Sequence, residues 1–494
     1  MKDISVSIDK KQMVELILAL IVLVLASLVP STSLPLYLTT IIFAVYAFFR
    51  PYQALVLLVP YVIFRTFFIE YSNGMKLVGD LITFIVLIRL FLMNLKDWKK
   101  WFTFKWFEWA FIAFIIFGSI IGVMSGVSVG AVVFQVRTFV IMYLLYYILS
   151  RVQVPRTFLP MLAWITIFSG AILFVQGIIE KISSRSMLMP EVWMQKVLST
   201  TNAVRIYGLV NNPNTLALIM FFAICAAFYL QWLYNGEKHR IPLWISQIAF
   251  TGMLILTLSR GTWIVAIVFL IVFILLSRNW KLLLNVAITV AASVILIYLP
   301  TNWAVVGFSK IDLGGNSGEV ITGGIGDRFK ETIAEDNIDL MTESGRVFYI
   351  KKGFEVFFDH PITGTGFGSF GGSATLSYGS PIYEEYGIRS DIYGGKNFYS
   401  DNQYIQVIAE TGAIGVVLFA AFLLFMLGMM WKERHTTFAK YLVGLWFATA
   451  AAGCFYTIWE LKVYTMVIFL LLGIFAAQQS FYPKLSLDEE AERK

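Results

Sequence analysis

Four arginines lie near predicted membrane-helix ends on the side away from the basic loops: Arg137, Arg205, Arg260 and Arg346. An arginine in or beside a membrane span costs about 2.5–3.5 kcal/mol at mid-span, so each one requires a compensating partner. Guanidinium groups bind phosphate oxygens through paired hydrogen bonds and keep their charge. On the topology described below, the four residues lie on the outer face, where they would suit a lipid pyrophosphate. Alternatively, each one pairs with a local acid or extends to lipid headgroups.

Two carboxylates precede the apolar helix predicted from Ala413, and either could accept a proton from a sugar hydroxyl during glycosyl transfer. Asp401 is one candidate base, and its neighbour Asn402 is a candidate substrate-binding residue. The alternative role of this position is helix capping, because Ser400 or Asp401 could cap a short helix that ends at a glycine. The other carboxylate is Glu410, for which we favour burial as the partner of one of the arginines.

A glycine-rich run, GTGFGSFGG from Gly364, contains a formal G-x-G-x-x-G that starts at Gly366. It is a weak dinucleotide fingerprint because no strand-turn-helix unit surrounds it. We expect a flexible turn whose backbone, including Gly366, approaches a lipid or a sugar. His360 is the only histidine predicted on the outer face and could titrate near neutrality. We favour a structural role for it at the end of a preceding helix.

Composition identifies a membrane protein, because the chain is 58% hydrophobic and only 14% charged, with a mean hydropathy of +0.75. The net charge of +7 does not indicate nucleic-acid binding, because lysines and arginines sit mostly in short loops between apolar windows. Two cysteines inside predicted spans and three scattered histidines provide neither a disulfide framework nor a metal cluster. We therefore expect no cofactor and no metal.

About fourteen apolar windows of spanning length recur along the chain, so we predict an all-α polytopic membrane protein. Both termini are predicted to be cytoplasmic, because the alternate short loops are basic. Residues 1–300 would hold helices 1 to 11, residues 301–412 one large extracytoplasmic loop, residues 413–480 helices 12 to 14, and residues 481–494 a cytoplasmic tail. Within the large loop, residues 343–359 show a helical apolar stripe that could lie on the outer membrane surface.

Several short motifs resemble the O-antigen ligase and polymerase superfamily. The motifs, in chain order, are RIYG from Arg205, NPN from Asn212, SRG from Ser259, Arg346, the run from Pro361 to Gly368, DNQY from Asp401 and ETG from Glu410. The resemblance implies a multi-spanning glycosyltransferase of the GT-C type that acts on undecaprenyl-pyrophosphate-linked glycans without a metal or a nucleotide sugar. It further implies that Arg205, Arg260 and Arg346 hold the pyrophosphate.

One departure from the family pattern concerns the proposed base. Ligases that move O-antigen onto lipid A have a histidine in the segment that corresponds to 400–403, where this chain has Ser400-Asp401. This favours an inverting polymerase of a capsule, teichuronic-acid-like, exopolysaccharide or O-antigen repeat, working in the cell membrane beside a flippase and a chain-length regulator. The alternatives are a ligase that passes the finished glycan to another acceptor and a flippase for lipid-linked oligosaccharides. The flippase is disfavoured because most spans are uncharged at mid-depth.

Overall fold

A computed structural model describes residues 10–28, 33–196, 198, 200–234, 239–308, 342–343, 345–388 and 400–481. Helices account for all regular structure in this part of the chain. Those of the first half are α1 (Lys10–Ser27), α2 (Ser33–Phe49), α3 (Pro51–Tyr71), α4 (Val78–Met93), α5 (Trp98–Trp101), α6 (Trp106–Met124), α7 (Val129–Leu149), α8 (Phe158–Ile182), α9 (Glu191–Met194), α10 (Thr200–Ala203) and α11 (Pro213–Leu233). Those of the second half are α12 (Arg240–Leu256), α13 (Arg260–Ser277), α14 (Trp280–Ser293), α15 (Leu299–Phe308), α16 (Arg346–Asp359), α17 (Ser373–Tyr378), α18 (Gln403–Lys432), α19 (Thr437–Gly453) and α20 (Lys462–Phe481).

Nine helices of the described part are long and apolar enough to cross a membrane, which confirms an all-α polytopic protein. They are Pro51–Tyr71, Trp106–Met124, Val129–Leu149, Phe158–Ile182, Pro213–Leu233, Arg260–Ser277, Trp280–Gly307, Gln403–Lys432 and Lys462–Phe481. A bent pair around α4 would make a tenth span. Other predicted spans coincide with shorter helices such as α12, so the count of fourteen stays a prediction.

The chain divides into two compact units. The first comprises Met1–Leu95, Val152–Trp263 and Asn279–Phe329, and the second comprises Lys96–Arg151, Ile264–Arg278 and Lys330–Lys494. In the first unit, α11 packs against α8 and α12, and α3 packs against α8. In the second unit, α18 packs against α6, α16 and α19, while α7 packs against α17 and α20.

Local sequence explains where the helices near the candidate residues begin. Pro213 occupies the first position of α11, where the missing N–H of proline costs nothing, and the side chain of Asn212 caps the helix by accepting from Asn214 and Thr215. Asn402 caps α18 in the same way. A break inside α18 at Gly412, where φ is 55° and ψ is −160°, separates a short buried segment from the longer membrane helix.

The bounds of the large loop predicted over 301–412 stay a prediction. Helical structure runs through α15 to Phe308, and the short segment of α18 from Gln403 to the break at Gly412 agrees with the short helix expected before that glycine. Residues 309–341 and 389–399 of the predicted loop, and the tail after residue 481, lie outside the described residues. The predicted helix over 343–359 is confirmed as α16, which starts at Arg346.

Candidate functional site

Arg346 and Asp401 form an ion pair in the second unit. Arg346 is the first residue of α16, and its Nη2 lies 3.2 Å from Oδ2 of Asp401. Both side chains are accessible, with exposed fractions of 45% and 40%. Among the described residues, the hydrogen bond to the Asp401 carboxylate comes from Arg346 and reaches Oδ2. The pair therefore brings together a cation and a general-base candidate at an open surface.

Asp401 does not cap α18, so the expectation that Ser400 or Asp401 would cap this helix is wrong. Asp401 has a left-handed backbone conformation with φ of 49°, and its side chain turns toward Arg346 instead of toward the helix. The cap is Asn402, whose Oδ1 accepts from the N–H groups of Tyr404 and Ile405 at 3.0 and 3.1 Å. The substrate-binding role of Asn402 stays a prediction.

The glycine-rich run is a buried loop that packs against protein backbone. Gly366 donates to the carbonyl of Glu410 at 2.6 Å, and Phe367 donates to the carbonyl of Gly118 at 2.9 Å. A Cβ on Gly366 would lie 2.0 Å from the backbone nitrogen of Gly122 on α6. The close neighbours of this backbone are α6 and α18. The expected approach of the turn to a lipid or a sugar, and the substrate-binding role of Gly366, stay predictions.

Glu410 is buried, with 1% of the residue exposed, at the end of the short segment that opens α18. Its Oε1 accepts from the N–H groups of Gly368 and Phe370 at 2.9 and 3.3 Å, and its Oε2 accepts from Gln406 at 3.2 Å. Our preference for an arginine partner is wrong within the described residues. Backbone amides and a glutamine satisfy this carboxylate because the glycine-rich loop folds its N–H groups onto it.

A second buried carboxylate, Glu460, was missed by the sequence reasoning. Its Oε2 accepts from the N–H of Ser373 at 2.6 Å, its Oε1 accepts from Gln406 at 2.5 Å, and Gln135 of α7 also donates to Oε1. We call Glu410, Glu460, Gln406 and Gln135 the carboxylate clamp. The available signal was a lone glutamate in the short turn between the apolar helices α19 and α20.

The glycine-rich loop connects the carboxylate clamp to the Arg346–Asp401 ion pair. Ser400, the residue before Asp401, donates its N–H to the carbonyl of Gly371 at 2.9 Å. The N–H of Gly371 in turn donates to the hydroxyl of Tyr383 at 3.1 Å. Burial raises the pKa of Tyr383, so the phenol stays protonated at neutral pH. Hydrogen bonds to Phe370, Gly371 and Ser373, which are close together in the loop, thus fix the backbone that precedes Asp401.

Arg205 belongs to a separate polar cluster in the first unit. Its Nη2 donates to Oδ1 of Asn214 at 2.7 Å, and its Nε donates to the carbonyl of Thr257 at 3.0 Å. The hydroxyl of Ser259 donates to the same Asn214 oxygen at 2.9 Å. The three family-like motifs around Arg205, Asn214 and Ser259 therefore meet, and they fix the backbone immediately before Arg260, the first residue of α13.

Arg137 and His360 lie in the second unit. Arg137 is a half-buried residue of α7, two positions after Gln135 of the carboxylate clamp. His360 ends α16: its N–H donates to the carbonyl of Val356 at 3.0 Å, and its own carbonyl accepts from Gly364 at 3.0 Å. This backbone role agrees with the structural interpretation. The expectation that Arg137 shares one face with the other three arginines stays a prediction.

No group of three or more histidine, cysteine, aspartate or glutamate side chains within the described ranges could hold a metal ion. Metal independence of the reaction stays a prediction.

Comparison with protein families matches residues 245–420 to the family described as O-antigen ligase. The matched segment contains Arg260, Arg346, the glycine-rich loop, Asp401 and Glu410, whereas Arg205 and Glu460 lie outside it. The match confirms the resemblance to the O-antigen ligase and polymerase superfamily. Comparison with curated proteins finds no match.

Proposed function

We propose that this chain, whose residues 245–420 match the family described as O-antigen ligase, is a polysaccharide polymerase of the cytoplasmic membrane. It would join undecaprenyl-pyrophosphate-linked repeat units of a capsule, teichuronic-acid-like polymer, exopolysaccharide or O-antigen at the outer face. The observation that carries the proposal is the accessible Arg346–Asp401 pair, which lies within the matched segment and on a backbone fixed by buried hydrogen bonds.

In the proposed reaction, Asp401 accepts the proton of an acceptor sugar hydroxyl through Oδ1 while Oδ2 faces Arg346. The hydroxyl oxygen attacks the anomeric carbon of the donor from the side opposite the leaving group, and the bond from that carbon to the phosphate oxygen breaks. The configuration is inverted, and the pyrophosphate leaves with the electron pair of the broken bond. Arg346, whose side chain is 45% exposed, can turn its other N–H groups toward anionic oxygens as charge develops.

Within the first unit, we propose that Arg205 and Arg260 bind pyrophosphate oxygens. The support is their position. Arg205 donates a hydrogen bond to the side chain of Asn214, and Arg260 directly follows Ser259, whose hydroxyl donates to the same amide oxygen. Fixed guanidinium groups stabilise developing charge without reorganising during the reaction. No metal is required for this step, because the arginines supply the positive charge.

The polymerase is favoured over the ligase because Ser400-Asp401 stands where ligases for lipid A have histidine. The two activities give different products from one lipid-linked donor. Purified protein in proteoliposomes should extend the lipid-linked repeat unit into a ladder, in the presence of a chelator. Transfer of preformed polymer to another acceptor, with no ladder, would support the ligase. Movement of the repeat unit across the bilayer without new glycosidic bonds would support a flippase.

Orientation is tested separately with a cysteine at the exposed position Ser377 of α17. In a background with Cys225 and Cys454 replaced by alanine, Ser377→Cys should react with an impermeant thiol reagent in intact cells. Labelling that appears only after lysis would place this part of the second unit, and the proposed site with it, on the cytoplasmic side.

A further inference from the structure

Helix α16 packs one of its faces into the second unit. Tyr349, Gly353 and Val356 are buried and recur at the spacing of one helical face. Gly353 lies so close to α18 that a Cβ there would approach a side-chain carbon of Ile405 to 2.2 Å. This contact fixes the rotation of α16 about its own axis and therefore determines which residues face outward.

A polar face follows this buried face around the helix. It contains Lys352, Glu355 and Asp359, with Lys352 and Glu355 paired at 2.8 Å, whereas Lys351, seven residues before Phe358, lies at the border with the next face. Asp359 accepts from the hydroxyl of Tyr386 at 2.9 Å. These residues suit contact with water and with polar loop residues.

The remaining face of α16 is apolar and open among the described residues. Phe354 and Phe358 are separated by one helical turn, with ring centroids 6.4 Å apart. Their exposed fractions are 41% and 74%, and Ile362, just after the helix, is 63% exposed. Three large apolar side chains in a row next to a charged face require a partner other than water. We call Phe354, Phe358 and Ile362 the apolar edge.

The apolar edge continues into the outward surface of a membrane helix. The N–H of Ile414, in the long segment of α18, donates to the carbonyl of Ile362 at 3.2 Å. Ile414 and Val417 are themselves exposed, as expected for side chains of a membrane span that face lipid. The lipid expected around the outward side of α18 would therefore lie directly beside Ile362.

We propose that the apolar edge of α16 inserts into the lipid surface at the membrane boundary, with the helix lying along that surface. The observations that carry the proposal are the three distinct faces of α16 and its hydrogen-bonded junction with α18. Such helices place their apolar side into the boundary between headgroups and acyl chains, about 5–10 Å deep, and keep their charged side in water. The lipid then holds the Arg346 end of α16 near headgroup level, where a lipid-linked phosphate would arrive.

The proposal is tested by measuring the depth of a fluorophore on two faces of the helix. Full-length protein with Cys225 and Cys454 replaced by alanine carries Phe358→Cys in one sample and Glu355→Cys, on the charged face, in a matched control. Each variant is labelled with an environment-sensitive dye and reconstituted in phosphatidylcholine nanodiscs. Quenching is measured with iodide in the water and with lipids that carry a nitroxide at a shallow acyl position.

We expect the Phe358→Cys label to be quenched severalfold more by the nitroxide lipid than the control label, and the control label to be quenched severalfold more by iodide. Equal iodide quenching of both labels would show that the apolar edge faces water and would overturn the proposal. Protection of the Phe358→Cys label from both quenchers would show that protein covers the edge, which also overturns it. Neither readout depends on polymerase activity, so this inference and the proposed function can fail independently.

Discussion

Asp401 and Glu410 lie on one segment of the second unit, but their carboxylates have opposite surroundings. Asp401 has an accessible side chain and a single partner among the described residues, the guanidinium of Arg346. Glu410 is buried, and three donors from Gly368, Phe370 and Gln406 occupy its two oxygens. Only the first carboxylate has an oxygen that a substrate can reach.

The difference shows which carboxylate suits chemistry and which suits structure. A carboxylate that satisfies fixed backbone N–H groups cannot release them without leaving buried donors unpaired, which costs about 1–3 kcal/mol for each donor. An exposed ion pair is worth only about 0–1 kcal/mol, so its partners can separate at little cost when a substrate binds. This difference supports the proposal that Asp401 takes part in the reaction and that Glu410 holds the framework.

The largest expected effect comes from Gly366→Ala, in the loop whose N–H groups bind the Glu410 carboxylate. The added Cβ would lie 2.0 Å from the backbone nitrogen of Gly122, and φ at this residue is 85°. The backbone of the loop and the backbone of α6 cannot separate without disrupting the packing of the loop. Folded protein should therefore be almost absent from the membrane. The measurement is protein abundance in membranes, followed by thermal unfolding of any purified material.

Gly126→Ala is the matched control for this substitution. Gly126 has a similar φ of 80°, but nothing lies within 4 Å of a Cβ there. It should lose only about 1–2 kcal/mol of stability, from backbone strain alone. Equal abundance of the two variants would show that the loop is not packed as described.

The next largest effect is expected from Glu410→Ala. The substitution leaves two buried N–H groups, those of Gly368 and Phe370, without their acceptor, which costs about 2–6 kcal/mol in total. Abundance and melting temperature should fall together, while the activity per folded molecule falls less than with a change at Asp401. A stable protein that is fully inactive would instead place Glu410 in the chemistry.

Asp401→Asn should have the opposite effect to Glu410→Ala. It should lower the rate of chain extension without lowering protein abundance. An amide keeps the shape of the side chain but cannot accept the hydroxyl proton, and loss of a general base costs on the order of 10²–10⁴-fold in rate. Glu355→Gln, which neutralises another exposed carboxylate of the second unit, should remain near the parent rate. Chain extension by purified protein at equal concentration measures both, and a normal rate for Asp401→Asn would remove this residue as the base.

Apolar periodicity was sufficient to predict much of the fold, because a membrane helix has to satisfy its backbone internally and cover itself with apolar side chains. The helix at α16 and the interruption at Gly412 followed from local patterns that the structure confirms. Periodicity alone did not show which helices are long enough to span. The helices α12 and α19, which coincide with predicted spans, have 17 residues each and are shorter than the nine candidate spans of the described part.

Roles within the site were harder to predict, because they depend on contacts between residues far apart in sequence. Nothing in the sequence near Glu410 indicates that the N–H groups of Gly368 and Phe370 fold onto it. Glu460 gave even less signal, since its partners Gln135 and Ser373 come from distant segments. Capping at Asn402 instead of Asp401 was decided by a left-handed φ that sequence does not reveal.

The smallest of these effects extends the comparison to the first unit, where Arg260→Lys separates charge from shape. Arg260 begins α13 directly after Ser259, whose hydroxyl is bonded to Asn214, so the backbone that presents the guanidinium is fixed. Lysine keeps the charge but loses the two parallel hydrogen bonds that a guanidinium makes to phosphate. Each charge-assisted hydrogen bond contributes about 1.5–3 kcal/mol, so chain extension should slow on the order of ten-fold to a hundred-fold.

Arg240→Lys is the matched control for Arg260→Lys, because Arg240 is also the first residue of a helix, α12, and is exposed. It should extend chains at the parent rate. Abundance is measured for both variants, since an arginine that serves only the fold would lower protein level instead of specific activity. If Arg260→Lys matches Arg240→Lys in rate at equal abundance, Arg260 does not bind phosphate through two parallel hydrogen bonds of its guanidinium. The open Arg346–Asp401 pair would then carry the proposed chemistry without this residue.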